Sequence, residues 1–291
     1  MTIDSKTASA LGNADRTRAP APLAHYESRG EASFRRALLD IAEGARQWRV
    51  WLTLSWHDIR QRYRGSMLGP FWLTISTGIM VAAIGLLYGS ALKTTEGYFP
   101  FLAVGLVTWH LIQSLVSEGC QAFIQSEGFI KQMRLPLSLF AYRAVSRNLI
   151  VFAHNLVVYL VVAALFPVRV DASTLLIIPG LFMLCVNGLF AGIFLGMLCA
   201  RFRDVPQIVA SALQIAFFVT PIIWPPSLAA SRPFVVYLNP LHYVIEIVRA
   251  PLLGDAVPST IWLGVLLITA VNATAALLFF SWRRHRIAYW V

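Results

Sequence analysis

The chain has 291 residues, of which 57% are hydrophobic and only 13% are charged. A soluble domain averages roughly 45–50% apolar and about 25% charged residues. So few charges cannot coat a water-facing surface of this size. This excludes an ordinary soluble enzyme, a mostly disordered chain and a fibrous repeat, and it leaves an integral membrane protein, all-α in fold class.

The N-terminal part, residues 1–47, is predicted to be a largely disordered cytoplasmic tail. Residues 1–30 are rich in Ala, Ser, Thr, Pro and Arg and lack an apolar period, which is typical of disorder. No apolar stretch follows their charges, as a signal peptide would require. Residues 31–47 can form a polar helix, and residues 48–291 are predicted to be one transmembrane domain.

Residues 48–64 predict an amphipathic helix. Five apolar side chains, spaced four, four, three and four residues apart, share one helical face: Trp48, Leu52, Trp56, Ile59 and Tyr63. The segment is too charged to span a bilayer. It either lies in the membrane interface, with tryptophans at headgroup depth, or packs on another protein. Gly65 and the Gly69–Pro70 pair are expected to end the helix and turn the chain into the membrane.

Six apolar runs follow, each near the roughly 20 residues that cross a bilayer core. They are residues 71–92, 97–117, 148–168, 172–200, 205–231 and 256–282. The fifth run is interrupted by Pro221, Pro225 and Pro226. The sequence therefore predicts six transmembrane helices in each copy of the chain.

The basic residues set the orientation of these spans. With both termini in the cytoplasm, all but four of the 24 Lys and Arg residues fall on that side, as the positive-inside rule requires. The four on the outer side are Lys93, Arg169, Arg232 and Arg249. Topology and anionic lipid thus account for the net charge of +10, and a nucleic-acid partner is not predicted.

The outer segment 225–258 fits no simple span. It is largely apolar but contains six prolines, and its longest uninterrupted stretch, residues 241–250, covers half a membrane. One interpretation is a short re-entrant or gate helix that lines or closes a cavity. The other is an ordinary amphipathic outer loop.

Motifs for catalysis are absent from the sequence. It has no G-x-x-x-x-G-K-[ST] loop for ATP, no H-E-x-x-H pair and no G-x-S-x-G elbow. The three cysteines lack metal-like spacing, so no metal site is expected. The predicted spans carry neutral polar residues instead: His154, Asn155, Asn187, Gln214 and Asn272. These either hold helices together or line a path for a hydroxyl-rich cargo.

Four segments, in this order, resemble type-2 ABC transporter permeases of polysaccharide export. They are WHDIRQRYRGSMLGPFW at 56–72, FIKQMRLP at 129–136, YLNPLHYVIEIVR at 237–249 and RIAYWV at 286–291. Together with the six predicted spans they cover about residues 48–291. The resemblance implies a homodimer that pairs with two separately encoded ABC nucleotide-binding subunits, which bind ATP and Mg. The chain itself would have no cofactor and no enzymatic activity.

The resemblance also implies a cargo and a location. The cargo would be a lipid-linked polysaccharide of the O-antigen, capsule or teichoic acid type, exported across the bacterial inner membrane. Residues expected to contact the ATPase subunits are Glu127, Phe129, Lys131, Arg134, Arg201, Arg203 and Asp204. Residues expected to admit the anionic lipid headgroup are Trp56, Arg60, Arg62, Tyr63 and Arg64, because guanidinium groups hold phosphate with paired hydrogen bonds.

Aromatic residues near the outer side are candidates for a sugar path or gate: Tyr98, Phe99, Trp109, Trp224, Phe234, Tyr237 and Tyr243. The alternative for each is the aromatic belt of the outer interface.

Other classes of protein also stay open. A type-2 ABC permease for a drug, lipid or other small amphiphile would have a closed apolar cleft. A membrane enzyme would need clustered His, Asp or Glu, and a channel would need a charged ring.

Overall fold

The computed structural model describes residues 30–69, 71–92 and 95–291. The first 29 residues of the predicted tail lie outside the described residues, as does Lys93. All regular elements within the described residues are helices, which confirms the all-α prediction. The α-helices are α1 (Gly30–Arg46), α2 (Trp48–Arg62), α3 (Phe71–Leu92), α4 (Thr95–Gln121), α5 (Glu127–Gln132), α6 (Ser138–Leu165), α7 (Ile177–Arg201), α8 (Val205–Val219), α9 (Phe234–Tyr237), α10 (Pro240–Leu253), α11 (Ser259–Arg283) and α12 (Ile287–Trp290).

Five of these helices are long and apolar enough to cross a membrane: α3, α4, α6, α7 and α11. The predicted fifth span, residues 205–231, was wrong in length. Helix α8 has only 15 residues and ends at Val219, because Thr220 takes the extended backbone that a following proline imposes. At 1.5 Å per residue it covers about 22 Å, less than a bilayer core of about 30 Å.

The predicted third span was wrong at its start. Helix α6 begins at Ser138, ten residues before the predicted start of the run at 148. Arg143 and Arg147 therefore lie within this helix and not in a loop. With 28 residues it is about 42 Å long, so its first turns extend beyond the hydrocarbon core.

Helix α4 lies at the centre of the fold. Most of its apolar length is buried inside the protein, where it packs against α3, α6, α7, α8 and α10. Its closest approach to α7 is at glycines, since a Cβ atom on Gly119 would lie 2.8 Å from the Cα of Gly192. Small residues of this kind let two membrane helices come close enough for their backbones to touch.

Helix α1 corresponds to the polar helix predicted for residues 31–47, and it holds the start of α6. The carboxylate of Asp40 accepts hydrogen bonds from the amides of Ser138 at 2.9 Å and Leu137 at 3.3 Å. It thereby satisfies backbone donors that a helix N-terminus leaves open. Ser33 bonds to the carbonyl of Ser281 near the end of α11, so α1 ties both helices together.

Neutral polar residues join neighbouring membrane helices. Asn187 donates to Thr269 at 2.7 Å, and Asn272 donates to the carbonyl of Asn187 at 2.9 Å, which links α7 to α11. Thr74 donates to Asn155 at 3.2 Å and links α3 to α6. These bonds favour the interpretation that the residues hold helices together.

The short helix expected at 241–250 is present as α10, within the Pro-rich outer segment. Asn239 caps its start by accepting from the Leu241 amide at 3.0 Å, and Gly254 ends it with a φ of 77°. Nine of its 14 residues are buried. This burial within the protein favours the interpretation of a short re-entrant or gate helix over that of an amphipathic outer loop.

We expect Gly119→Ala to lower stability, because the added Cβ meets backbone that cannot rotate away. Overpacking of this kind costs about 1–3 kcal/mol. The midpoint of thermal unfolding in detergent measures the effect. Gly128→Ala is the matched control, since a Cβ at Gly128 meets nothing within 4 Å. Equal midpoints for the two variants would show that the α4–α7 contact is looser than described.

Candidate functional site

A polar stripe runs along the C-terminal half of α4. His110, Gln113, Ser114 and Ser117 follow one another at intervals of three, one and three residues, which places them on one helical face. Glu118 ends the stripe. Gln113 and Ser117 are exposed in this otherwise buried helix. Polar groups at membrane depth must face protein, water or a polar ligand, so the stripe marks a non-lipid surface.

The stripe forms one wall of a cavity of about 410 Å³. The other walls come from α6, the end of α2 and the start of α3, and they include Leu73 and Phe152. Further polar residues of the lining are Arg62, Asn148 and Asn155. The cavity is therefore mainly apolar, and its polar groups are hydroxyls, amides, the His110 ring and the charged side chains of Arg62 and Glu118.

A network of charged side chains closes one end of this cavity. Asp58 of α2 accepts two hydrogen bonds from Arg143, at 2.5 and 2.7 Å, and one from Arg147 at 2.7 Å. Arg147 also reaches Glu118 of α4 at 2.7 Å. Glu118 in turn accepts from Arg62 at 2.8 Å. Three helices, α2, α4 and α6, are thus joined by one chain of ion pairs, which we call the charge network.

The charge network keeps Asp58 ionised. Burial by itself raises the pKa of this carboxyl, but the hydrogen bonds and charges of Arg143 and Arg147 outweigh it and hold the pKa below its ordinary value. The side chains are mostly shielded from solvent. Removing one partner from such a network leaves an uncompensated buried charge, which is strongly destabilising.

The predicted contact with an ATPase subunit at 127–134 forms a small surface helix, α5. Phe129 and Met133 expose 37% and 52% of their surfaces, and Lys131 pairs with Glu127 at 2.6 Å. Arg143 lies over the Phe129 ring, 5.7 Å from its centroid. The exposed helix therefore touches the charge network directly.

The second predicted contact lies close to the first. Arg203 donates to the carbonyl of Trp290 at 3.3 Å in α12, and α12 contacts α5. The pKa of Glu127 is lowered by its bond to Lys131, with a smaller contribution from Arg203. Arg134 and Arg201 are also exposed, and so is Asp204. We call this combined area of α5, the loop 201–204 and α12 the α5 surface.

The interfacial helix α2 has two distinct faces. Trp48, Leu52 and Trp56 are exposed, whereas Ile59, which the sequence places on the same apolar face, is buried. The side that carries Ser55 rests on α6, where Ser55 donates to the carbonyl of Arg143 at 2.8 Å. Positive φ angles at Gly65 and Gly69 turn the chain after α2, as expected.

The predicted headgroup residues are not equivalent. Arg60 and Arg64 extend to the exposed side of α2 and the following turn, and Tyr63 is half-buried. Arg62 lies in the charge network and already pairs with Glu118. Arg60 and Arg64 are therefore the more accessible of the three arginines in this set.

The candidate path aromatics fall into three groups. Tyr98, Phe99 and Trp109 are buried in the core and present no open surface in this conformation. Phe234 and Tyr237 are exposed in and near α9. The remaining two are half-buried and donate to backbone carbonyls: Trp224 to Phe218 at 3.0 Å and Tyr243 to Tyr237 at 2.8 Å.

Arg249 was predicted to lie among the outer charges, but it is fully buried in α10. Its guanidinium lies 4.0 Å from the Phe101 ring centroid and donates to the Pro221 carbonyl at 2.9 Å. Glu246 lies 3.5 Å away. A Cβ at Gly105 would come within 2.5 Å of the guanidinium, so the glycine makes room for it. Arg249 thus joins α10 to α4 and to the break after α8.

The sequence reasoning missed the polar stripe and the charge network. The three-and-four spacing of polar residues at 110–117 was visible inside an apolar run and could have identified the stripe. The ion pairs had no such signal, because their partners are separated by 29 to 89 residues. Among the described residues, no group of three or more His, Cys, Asp and Glu side chains is arranged to hold a metal ion.

Comparison with known proteins gives consistent matches. Residues 49–253 match the model of a family described as ABC-2 type transporter. The O-antigen export system permease protein RfbA of Myxococcus xanthus is 27% identical over 65% of this chain and 75% of its own length. Two proteins of the same name from Klebsiella pneumoniae are each 24% identical, over 65% and 79% of this chain and 74% and 90% of their own lengths.

We expect Asp58→Asn to lower the free energy of unfolding by about 3 kcal/mol, because Arg143 and Arg147 lose their shared counter-charge. The folded pKa of Asp58 lies below its ordinary 3.8, so its contribution is complete above that value and is lost only as the pH falls through the lowered folded value. The decrease in the free energy of unfolding caused by Asp58→Asn should therefore be the same at pH 5 and pH 8. Denaturation in detergent at both pH values measures it.

Glu127→Gln is the control, since it breaks an exposed ion pair on the same side of the molecule. Such pairs contribute little, so no measurable change is expected. A loss for Asp58→Asn no larger than that of the control would contradict the structural role of the charge network.

Proposed function

Because the chain belongs to the ABC-2 type transporter family, we propose that it is the membrane-spanning permease of an ATP-driven exporter of lipid-linked polysaccharide. The observation that carries this proposal is the row of hydroxyl and amide side chains with which α4 lines the cavity beside it. Hydroxyl and amide side chains match the hydrogen-bonding groups of sugars. A drug or small amphiphile would instead favour a closed apolar cleft. The names of the three relatives support the same cargo.

The energy for transport comes from two separate ABC nucleotide-binding subunits, which bind ATP and Mg. The sequence has no P-loop of its own, so ATP must be bound elsewhere. The α5 surface is the docking area. Its exposed Phe129, Met133 and Phe202 are surrounded by basic side chains, a composition that suits burial in the groove of a partner protein.

The functional unit is a homodimer. Helix α8 has one buried residue within the chain, Leu213, whereas Ile208, Ile215 and Phe218 are exposed. A membrane helix of 15 residues with so little support from its own chain is supported by a second copy that covers this face. The path for the polymer then lies between the two copies.

The protein lies in the bacterial inner membrane with both termini in the cytoplasm. The basic residues give this orientation by the positive-inside rule. Contact between α12 at the C-terminus and α5 in the loop after the second span supports it, because both must lie on the same side.

ATP binding closes the two ATPase subunits and moves α5. Phe129 passes this movement to Arg143, and the charge network carries it to α2 and to the end of α4. The permease halves then reorient and the outer segment around α10 opens. The ligand-driven step is a shift between two states that the partner binds with different affinity.

Export itself is tested by deleting the gene in its native cell. The expected result is loss of the surface polysaccharide with lipid-linked polymer retained inside, restored by the wild-type gene. Normal surface polymer in the deletion strain would overturn the proposal.

We expect the double substitution Phe129→Ala and Arg134→Ala to abolish stimulation of the partner ATPase and export, because the docking helix loses its exposed ring and a cation. Membrane insertion and thermal stability should be unchanged. ATPase activity of the reconstituted complex measures the effect. The control is Arg169→Ala with Val170→Ala, an exposed cation and apolar pair beyond the other end of α6. Unchanged stimulation in the α5 variant would reject docking through α5.

We expect Arg60→Glu with Arg64→Glu to reduce export severalfold, since the reversed charges repel an anionic lipid headgroup at the interface. ATPase stimulation should persist, because α5 is untouched. Pulse labelling of surface polysaccharide measures export. The control is Arg35→Glu with Arg46→Glu, an equal charge reversal on α1. If both variants export equally well, the headgroup role of α2 is wrong.

A further inference from the structure

The guanidinium group of Arg249 is fully buried but has few partners. Its Nη1 atom donates to the carbonyl of Pro221 at 2.9 Å, and its Cζ atom lies 4.0 Å from the centroid of the Phe101 ring. Its Nε and Nη2 atoms are buried and have no hydrogen-bond partner among the described residues. A buried charge with unpaired donors is costly. This arrangement is therefore one that Arg249 leaves readily when a better acceptor comes within reach.

A better acceptor lies on the same helix. The carboxylate of Glu246, one turn before Arg249 in α10, is 3.5 Å from the same Nη1 atom, at the limit of hydrogen-bond distance. The Glu246 side chain is 24% exposed, so it is held less tightly than that of Arg249. A carboxylate accepts two parallel hydrogen bonds from a guanidinium, which a single carbonyl cannot do. Glu246 is thus a second acceptor, and side-chain rotation alone brings it to the guanidinium.

The segment that follows α8, residues 220–224, is not helical. We call it the break. Its carbonyl groups lie outside any helix, so they can accept hydrogen bonds from side chains of other elements. Tyr98 of α4 donates to the carbonyl of Ile223 at 2.7 Å, and Ile222 is fully buried. The break is therefore tied to the central helix α4 by a contact that does not involve α10.

The two acceptors of Arg249 belong to different parts of the fold. Pro221 lies in the break, whereas Glu246 lies in α10. A bond from Arg249 to Pro221 holds α10 against the break, and the bond from Asn239 to the Thr220 hydroxyl, at 2.8 Å, crosses the same boundary. A bond from Arg249 to Glu246 stays within α10. The choice of acceptor therefore decides whether α10 is fixed to the break or can move away from it.

We propose that Arg249 is a switch that changes its acceptor when the outer segment opens. In the closed state its guanidinium donates to Pro221 and fixes α10 to the break. In the open state it pairs with Glu246, and α10 is released while the break stays on α4. The proposal rests on the proposed function, because it assigns a residue to the opening step of that exporter. The exchange keeps the cation paired in both states and so avoids an uncompensated buried charge.

Hydrogen–deuterium exchange of the full chain in lipid nanodiscs tests the switch, because amide exchange reports local opening. We expect Arg249→Met to raise the exchange rates of the break and of the first turn of α10 roughly tenfold, as for the loss of one charged hydrogen bond. Arg249→Lys keeps the charge but lacks the planar fork, so the increase should be smaller. Exchange in α1 is the internal reference and should not change, since the whole protein does not unfold.

Glu246→Gln should have the opposite effect on the same amides. A carboxamide is a weaker acceptor for a guanidinium, so the open state loses more than the closed state, in which Glu246 lies at 3.5 Å. The exchange rates of the break should therefore fall severalfold. An ordinary structural ion pair would give faster exchange in Arg249→Met and in Glu246→Gln alike, and that outcome overturns the switch. Arg232→Met removes an exposed arginine of the same outer segment and is the matched control, with unchanged rates.

The double substitution separates the switch from other roles of Glu246. In the Arg249→Met background, Glu246→Gln should have no further effect, because no cation remains to be accepted. Slower exchange caused by Glu246→Gln in that background would show that Glu246 acts through another partner, and it would overturn the proposal. If Arg249→Met does not fold, the opposite signs expected for Arg249→Lys and Glu246→Gln remain the test.

Export in the native cell distinguishes the switch from the function itself. Glu246→Gln should reduce export severalfold, and the addition of Arg249→Met should restore part of it, because the bond that opening must break is gone. Equal export by the wild type and both variants, in a strain where gene deletion abolishes export, overturns the switch and leaves the proposed function intact. Normal surface polymer after gene deletion overturns the function, whatever the exchange rates show.

Discussion

The neutralisation of buried arginines at the inner end of the helix bundle is the constraint on which the rest of the structure depends. Arg143 and Arg147 lie inside a helix, where neither can be solvated freely, and Asp58 and Glu118 supply their counter-charges. These acids belong to α2 and α4, so the pairing fixes the interfacial helix and the central helix against α6. Both the floor of the polar cavity and the support beneath Phe129 follow from it.

Helix α4 both packs the bundle and lines the cavity, because its residues differ between its two faces and along its length. Its buried face packs against most of the bundle, with glycine at the closest approach to α7. Its C-terminal half turns a polar stripe toward the cavity. A rigid, central helix is well suited to carry a binding wall, since packing on the other side holds each polar group in place. Function and stability are therefore served by the same element.

Much of the fold was predictable from local pattern. Apolar runs of sufficient length located α3, α4, α7 and α11, and the glycines at 65 and 69 predicted the turn after α2. The errors arose where contacts between residues far apart in the sequence determine the structure. The charges of Arg143 and Arg147 favoured a loop in the sequence. In the structure these residues pair with Asp58 and Glu118, which are far away in the sequence. The exposed and buried faces of α2 were likewise set by contact with α6, which no local pattern encodes.

The contact between Gly105 and Arg249 has a consequence for how this protein can change over time. The guanidinium fills the volume that any side chain at 105 would need, and the ring of Phe101 covers it. A larger residue at 105 displaces the cation, while a shorter residue at 249 leaves a void beside a bare glycine. We therefore expect homologues to change the two positions together, with a larger residue at 105 only where 249 is smaller.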